Sequence, residues 1–193
     1  LVPADKRLTR TWLDGLYTRG ASRVCTGGEL NTIGMPVGGI GAGQVYLCGD
    51  GTLGCWKIFN KTYFSGYGRD NYAVVMPDKP IAQGFAVAVE EPGGGRRGFA
   101  LDRQGFPGVA FVGEYPVGRV RYARDDFPID VEMEAFSPFI PLNARDSAIP
   151  ATILRFTLTN KSERAVKAKL IGWFENAICF HSRDEYKIDI QQM

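Results

Sequence analysis

Histidine is nearly missing from this sequence: His181 is the only one in 193 residues. The four cysteines, Cys25, Cys48, Cys55 and Cys179, form no C-x-x-C pair. Protein zinc sites draw on Cys and His at short, regular spacings, so a zinc centre is poorly supported. Cys48 and Cys55 flank an expected hairpin turn and could pair across it, but four thiols acting as small apolar side chains are the favoured reading. Charge of one sign is also lacking. The 23 Lys+Arg against 21 Asp+Glu leave a formal net charge of +2, too balanced for nucleic acid or an anionic membrane. The short pair Arg96-Arg97, beside three glycines, reads as a solvated loop rather than a phosphate-binding patch.

No run approaches the roughly 18–20 apolar residues that a membrane-spanning helix needs. Leu1-Val2-Pro3-Ala4 leads directly into Asp5, Lys6 and Arg7, without the apolar stretch of a signal peptide. Both ends are abrupt, and Lys187-Ile188-Asp189-Ile190 looks like the start of a strand. The sequence is therefore expected to be part of a longer chain.

What is present suits a globular domain, with 45% hydrophobic and 23% charged residues. Leu8, Trp12, Leu13, Leu16 and Tyr17 form one apolar stripe at helical spacing, and Gly20 offers a stop. Pro3 could sit in the first turn. Beyond about residue 30 the period changes to two. Ile129, Val131, Met133 and Ala135 alternate with Asp130, Glu132 and Glu134, and Phe85, Val87 and Val89 share a face of 83–91. Further strands are expected over 44–48, 54–59, 72–76, 109–113 and 117–122. A hairpin is expected from 151–159 and 165–175, joined through Asn160-Lys161-Ser162-Glu163. The 24 glycines and 11 prolines between these runs supply turns. The expected fold class is all-β: a two-sheet antiparallel sandwich with a short N-terminal helix, with a closed barrel as the alternative.

Gly49-Asp50-Gly51-Thr52-Leu53-Gly54 has the spacing G-x-G-x-x-G, but a dinucleotide site needs a helix next. Here Cys55-Trp56-Lys57-Ile58-Phe59 reads as a strand and Asp50-Gly51 as a hairpin turn. The run 34–43 holds five glycines, which points to positive φ or to close approach by another surface. Two readings stand side by side: a tight structural loop beneath a neighbouring strand, or a loop at a domain interface or cleft rim carried by Gly38, Gly39, Gly41 and Gly43. Glu114, Glu132, Glu134, Asp146 and Glu175 are acid candidates by residue type alone, and Glu132 and Glu134 read as an exposed acidic face. His181 could be an acid–base group by type, but as a lone histidine it reads as structural or surface. Trp56 is expected in the core, while Tyr63, Phe64 and Tyr67 could pack or stack on sugar rings. Asn60-Lys61-Thr62 and Asn160-Lys161-Ser162 fit the glycosylation pattern.

Four segments together resemble the N-terminal domain of glycoside hydrolase family 116, which includes non-lysosomal glucosylceramidase and bacterial β-glucosidases. They are residues 33–43 (IGMPVGGIGAG), 113–122 (GEYPVGRVRY), 134–151 (EAFSPFIPLNARDSAIPA) and 172–176 (GWFEN). The resemblance implies a β-sandwich domain over 31–193, truncated; residues 1–30 lie outside the resembling segments and read from their helical spacing as a helical arm. It also implies a following (α/α)6 catalytic barrel that would hold the nucleophile and acid/base of a retaining β-glucosidase. On this reading no residue here is catalytic, and no metal or cofactor is expected. The substrate, a β-glucoside or glucosylceramide-like lipid, would be met through the barrel. A sandwich short of strands exposes apolar edges, which a homodimer could cover. The alternative is a free-standing carbohydrate-binding or protein-interaction sandwich.

Overall fold

The computed structural model describes residues 6–18, 20–58, 81–91, 93–176 and 178. The expected strand at 72–76, Pro3, Tyr63, Phe64, Tyr67, Cys179, His181, the first glycosylation pattern and 187–190 lie outside the described residues. Helix α1 spans Arg10–Tyr17, and the Thr9 side chain caps it by accepting the Trp12 N–H at 3.2 Å. None of its residues is buried.

Eleven strands follow among the described residues: β1 (Val24–Thr26), β2 (Gly34–Pro36), β3 (Gln44–Cys48), β4 (Leu53–Lys57), β5 (Gln83–Glu90), β6 (Arg96–Ala100), β7 (Gly108–Glu114), β8 (Val117–Ala123), β9 (Ile129–Phe136), β10 (Ile153–Asn160) and β11 (Ala168–Phe174). They make an antiparallel five-stranded sheet in the order β1-β7-β8-β9-β10 and two three-stranded sheets, β11-β5-β6 and β2-β3-β4. All sheets are open, so the closed-barrel alternative does not apply to the described strands.

The period-two pattern explains the layers. On β7, β8 and β9 the residues Val109, Phe111, Val120, Tyr122, Val131 and Met133 are buried, and their sequence neighbours are less so. This face meets Met35, Leu47 and Trp56 from β2–β4 and Val87 and Val89 from β5 in a single core. Phe85 packs on Phe156 at 4.8 Å, while Phe99, Phe106 and Phe127 form edge-to-face pairs at 5.3–6.2 Å. The two small sheets thus form the second layer of the sandwich, joined to each other where Trp56 meets Phe174 at 5.5 Å. The expected core position of Trp56 is met, at 8% exposure.

Two expectations need correction. The expected hairpin of 151–159 with 165–175 does not form. All eight residues of β10 pair with β9, whereas β11 pairs with β5 in the opposite layer. Asn160 turns the chain out of the sheet by bonding Arg164 O and the Ser162 N–H, and Lys161 N–H bonds Pro128 O at 2.8 Å. Placing the two strands in facing layers lets Phe156 meet Phe85 across the core, which a hairpin within one sheet would not do. The second correction concerns Arg96-Arg97. These residues begin strand β6, and the adjoining glycines form its hairpin turn, with Gly93 and Gly94 at φ 105° and 89°. Arg97 is held by Glu91 at 3.0 Å and by Asp126 O at 2.6 Å.

Candidate functional site

The glycine segment begins as strand β2, opposite Tyr46, Leu47 and Cys48 of β3. It then leaves the sheet as a loop over 37–43. Val37 N–H donates to Val45 O at 2.8 Å, and Val37 O accepts the hydroxyls of Ser137 and Thr152. Ile40 N–H donates to Ser147 O at 2.9 Å. A Cβ on Gly39 would stand 2.9 Å from the Ile149 carbonyl carbon and closer still to its oxygen. Gly41 and Gly43 lie at φ 72° and 99°, where an L side chain is strained. Glycine at 39 therefore permits close approach, and glycine at 41 and 43 permits the turn.

The segment lodged against this loop is 137–151. Asn143 caps the short helix α2 (Ala144–Ser147) by accepting the Asp146 N–H at 3.1 Å. Ser147, 1% exposed, spans the turn: its hydroxyl accepts the Ile140 N–H at 2.9 Å and donates to Ile140 O at 3.1 Å. Cavities lie on both sides of the glycine loop. One, of 390 Å³, is bounded by Gly38, Gly39, Gly43, Trp56, Pro150 and Leu154. The other, of 490 Å³, is bounded by Pro36, Gly38, Ile40, Gly41, Gly43 and Tyr115. All four sequence-proposed glycines thus border open space, and three of them border both cavities.

The acid candidates are not brought together as a working pair. On the outer face of the five-stranded sheet, Arg119 faces Glu134 and Arg121 faces Glu132 across β8 and β9, with bonds of 2.9 and 2.6 Å. Arg155 of β10 pairs with Glu134 from the other side, and Arg119 also bonds Glu114 at 3.0 Å. The expected exposed acidic face is therefore corrected: it is a face of cross-strand ion pairs in which the arginines cover Glu134 and bury it. The hydrogen bond from Arg119, aided by Arg155 and opposed by partial burial, holds the Glu134 carboxyl below the usual carboxylate range. A general acid needs the opposite shift. Asp146 bonds the Asn143 side chain at 2.6 Å, and Glu175 accepts the Ala82 N–H at 2.9 Å. Each of these carboxylates has a structural partner.

The G-x-G-x-x-G spacing is a hairpin turn between β3 and β4. Gly51 N–H bonds Cys48 O at 2.9 Å, and the Asp50 carboxylate takes the Thr52 N–H and hydroxyl. Gly51 has φ 84°, and a Cβ there would meet the Tyr122 ring at 2.9 Å. Cys25, Cys48 and Cys55 are in no disulfide, so Cys48 and Cys55 do not pair across the turn. Among the described residues no cluster of three or more His, Cys, Asp or Glu could hold a metal, and no helix is long and apolar enough to cross a membrane. Sequence reasoning missed residues 137–149 as the partner of the glycine loop. The signal was the density of apolar residues in a proline-rich stretch that shows no strand period.

The fold defines the chain as an antiparallel β-sandwich domain whose most unusual surface is a glycine loop clasped by a second loop. Over residues 34–191 it matches a family model described as beta-glucosidase 2, glycosyl-hydrolase family 116 N-term. The chain belongs to that family of glycoside hydrolase N-terminal domains. A search of curated proteins gave no match.

Proposed function

We propose that this domain is the non-catalytic N-terminal sandwich of a retaining β-glucosidase or glucosylceramidase-like enzyme, and that it packs on and supports an (α/α)6 catalytic barrel. The family match over 34–191 carries this reading. The engagement of the candidate acids Glu114, Glu132, Glu134, Asp146 and Glu175 by structural partners supports it, because retaining hydrolysis needs two acids about 5–5.5 Å apart, one as nucleophile and one as proton donor. Glu114 and Glu134 instead share the Arg119 guanidinium. The glycine loop, with Gly38, Gly39, Gly41 and Gly43, would lie at the boundary between the two domains. The test is hydrolysis of an aryl β-glucoside by the 193-residue chain beside the parent enzyme. Turnover by the parent alone is the expected result, and comparable turnover by the short chain would overturn the assignment.

A cleft of 840 Å³ at the far end of the sandwich favours a second reading, a carbohydrate-binding module. It is bounded by residues that include Glu91, Arg97, Asp125, Lys161, Arg164 and Lys167, a density of polar groups suited to sugar hydroxyls. Titration calorimetry with glucosides and short β-glucans separates the two, since a scaffold gives no binding heat.

A further inference from the structure

Three turns wall the cleft at the far end of the sandwich: the β5–β6 hairpin, the segment between β8 and β9, and the segment between β10 and β11. Side chains tie these walls together. Lys161 Nζ reaches Arg124 O and the Asp130 carboxylate, both at 2.8 Å, and so joins the third wall to the second. Arg97 pairs with Glu91 at 3.0 Å and donates to Asp126 O at 2.6 Å, joining the first wall to the second. Lys167 meets Glu90 at 3.1 Å and closes the frame. At the base of the third wall, the Asn160 amide donates to Arg164 O at 2.7 Å and accepts the Ser162 N–H at 3.0 Å. Phe127 and Val89, both buried, give the cleft an apolar floor.

Every charged side chain that lines this cleft has a partner in the frame, except two. Arg164 and Asp125 are exposed, and neither side chain makes a hydrogen bond or ion pair among the described residues. One free cation and one free anion thus stand on different walls of a preformed cleft. Walls that are tied before a ligand arrives lower the ordering cost of binding. A guanidinium only donates and a carboxylate only accepts, so a ligand that satisfies both must accept from one and donate to the other. An anion would be repelled by Asp125 and a cation by Arg164. Hydroxyl groups accept and donate through one atom, without charge.

We infer that this cleft holds a neutral saccharide of several rings, gripped through its hydroxyls by Arg164 and Asp125. The inference names the ligand class for the carbohydrate-binding reading above and rests on it. A volume of 840 Å³ lies in the range of sites that enclose a whole drug-sized ligand, so an oligosaccharide suits it more than a single ring. The C–H faces of the rings match the apolar floor, and the charged rim meets their edges.

The test is titration calorimetry of the 193-residue chain with β-linked tetrasaccharides of glucose, of glucuronate and of glucosamine, and with glycylglycine as a zwitterion. We expect the neutral tetrasaccharide to bind and each other probe to bind at least about tenfold more weakly. Arg164→Gln and Asp125→Asn should each weaken the neutral ligand by about tenfold, as loss of a charged hydrogen-bond partner does. Asp125→Asn should also strengthen binding of the glucuronate probe, a change that structural damage would not produce. Both substitutions replace exposed side chains without partners, so thermal unfolding of the variants should match that of the unaltered chain. Glu163→Gln, in the same turn as Arg164 but outside the lining, should leave binding unchanged. Neutral-ligand heat that both cleft variants retain in full overturns the inference alone, and so does tighter binding of a charged or zwitterionic probe to the unaltered chain. Absence of heat with every saccharide removes the carbohydrate-binding reading itself, and the inference with it.

Discussion

Gly39→Ala isolates the contact on which the clasp between the two loops depends. The added methyl would meet the backbone of Ala148 and Ile149, at 3.1 and 2.9 Å from their carbonyl carbons, and backbone cannot swing aside as a side-chain end can. Relief requires residues 147–149 to retreat, which stretches the bond from Ile40 N–H to Ser147 O. Overpacking costs about 1–3 kcal/mol and a lost buried hydrogen bond about 1 kcal/mol, so the expected loss is about 3 kcal/mol. For a domain of this size that lowers the melting temperature by roughly 6–12 °C. Gly41→Ala is the informative control: it lies at φ 72° with nothing within 4 Å of a Cβ, so only backbone strain of about 1–2 kcal/mol applies. Urea unfolding of the 193-residue chain, followed by circular dichroism, reads both. If Gly39→Ala unfolds at the same urea concentration as Gly41→Ala or higher, the close approach of the two loops is not what the glycine serves.

Tyr122→Phe removes the hydroxyl that donates to Asp50 O at 3.0 Å and should cost about 1–2 kcal/mol in urea unfolding. Burial holds the Tyr122 phenol well above its ordinary range, so its ultraviolet titration should be missing from the native protein up to the pH at which it unfolds. Glu134 has a folded pKa below its unfolded value. Its contribution is therefore present above the unfolded carboxylate range and is lost as pH falls through the folded pKa. Glu134→Gln should accordingly lower stability near neutral pH and flatten the acid limb of the stability–pH curve, and a limb of unchanged steepness would contradict the Arg119–Glu134–Arg155 arrangement. Gly84→Ala drives a methyl into the edge of the Trp173 ring, so the indole should move outward and its fluorescence shift to the red.

Half-buried strands declared themselves because solvent and core act on alternate residues. The alternation of Ile129, Val131 and Met133 located β9, and Phe85, Val87 and Val89 located β5. β1 and β2, three residues each, are too short for a period to register. β6 was hidden because its first residues are two arginines beside a glycine turn, a composition that suits a loop until Glu91 and Asp126 are brought to them by the fold. Alternation also says that a segment is a strand without naming its partner, which is why β10 and β11 were expected to pair with each other. At the candidate site, the need for glycine at 34–43 and its two causes, positive φ and close approach, were legible, but the segment that makes the approach was not. Gly39 answers to Ile149, 110 positions away, and no local pattern encodes that meeting.

The separation of β10 and β11 into opposite layers has a consequence for synthesis. β5 and β6 form a local hairpin, yet the other edge of β5 waits for β11, whose Leu170 pairs with Val87 from 83 positions later. At about 5–20 residues per second a ribosome needs roughly 4–17 s to cover that interval. Throughout it the nascent hairpin shows an unpaired edge to neighbouring polysomes, and the five-stranded sheet lacks part of the layer that covers it. The interval is when a holding chaperone would matter most, and slowing elongation just before residue 168 would lower the yield of native domain even though no contact in the finished protein had changed.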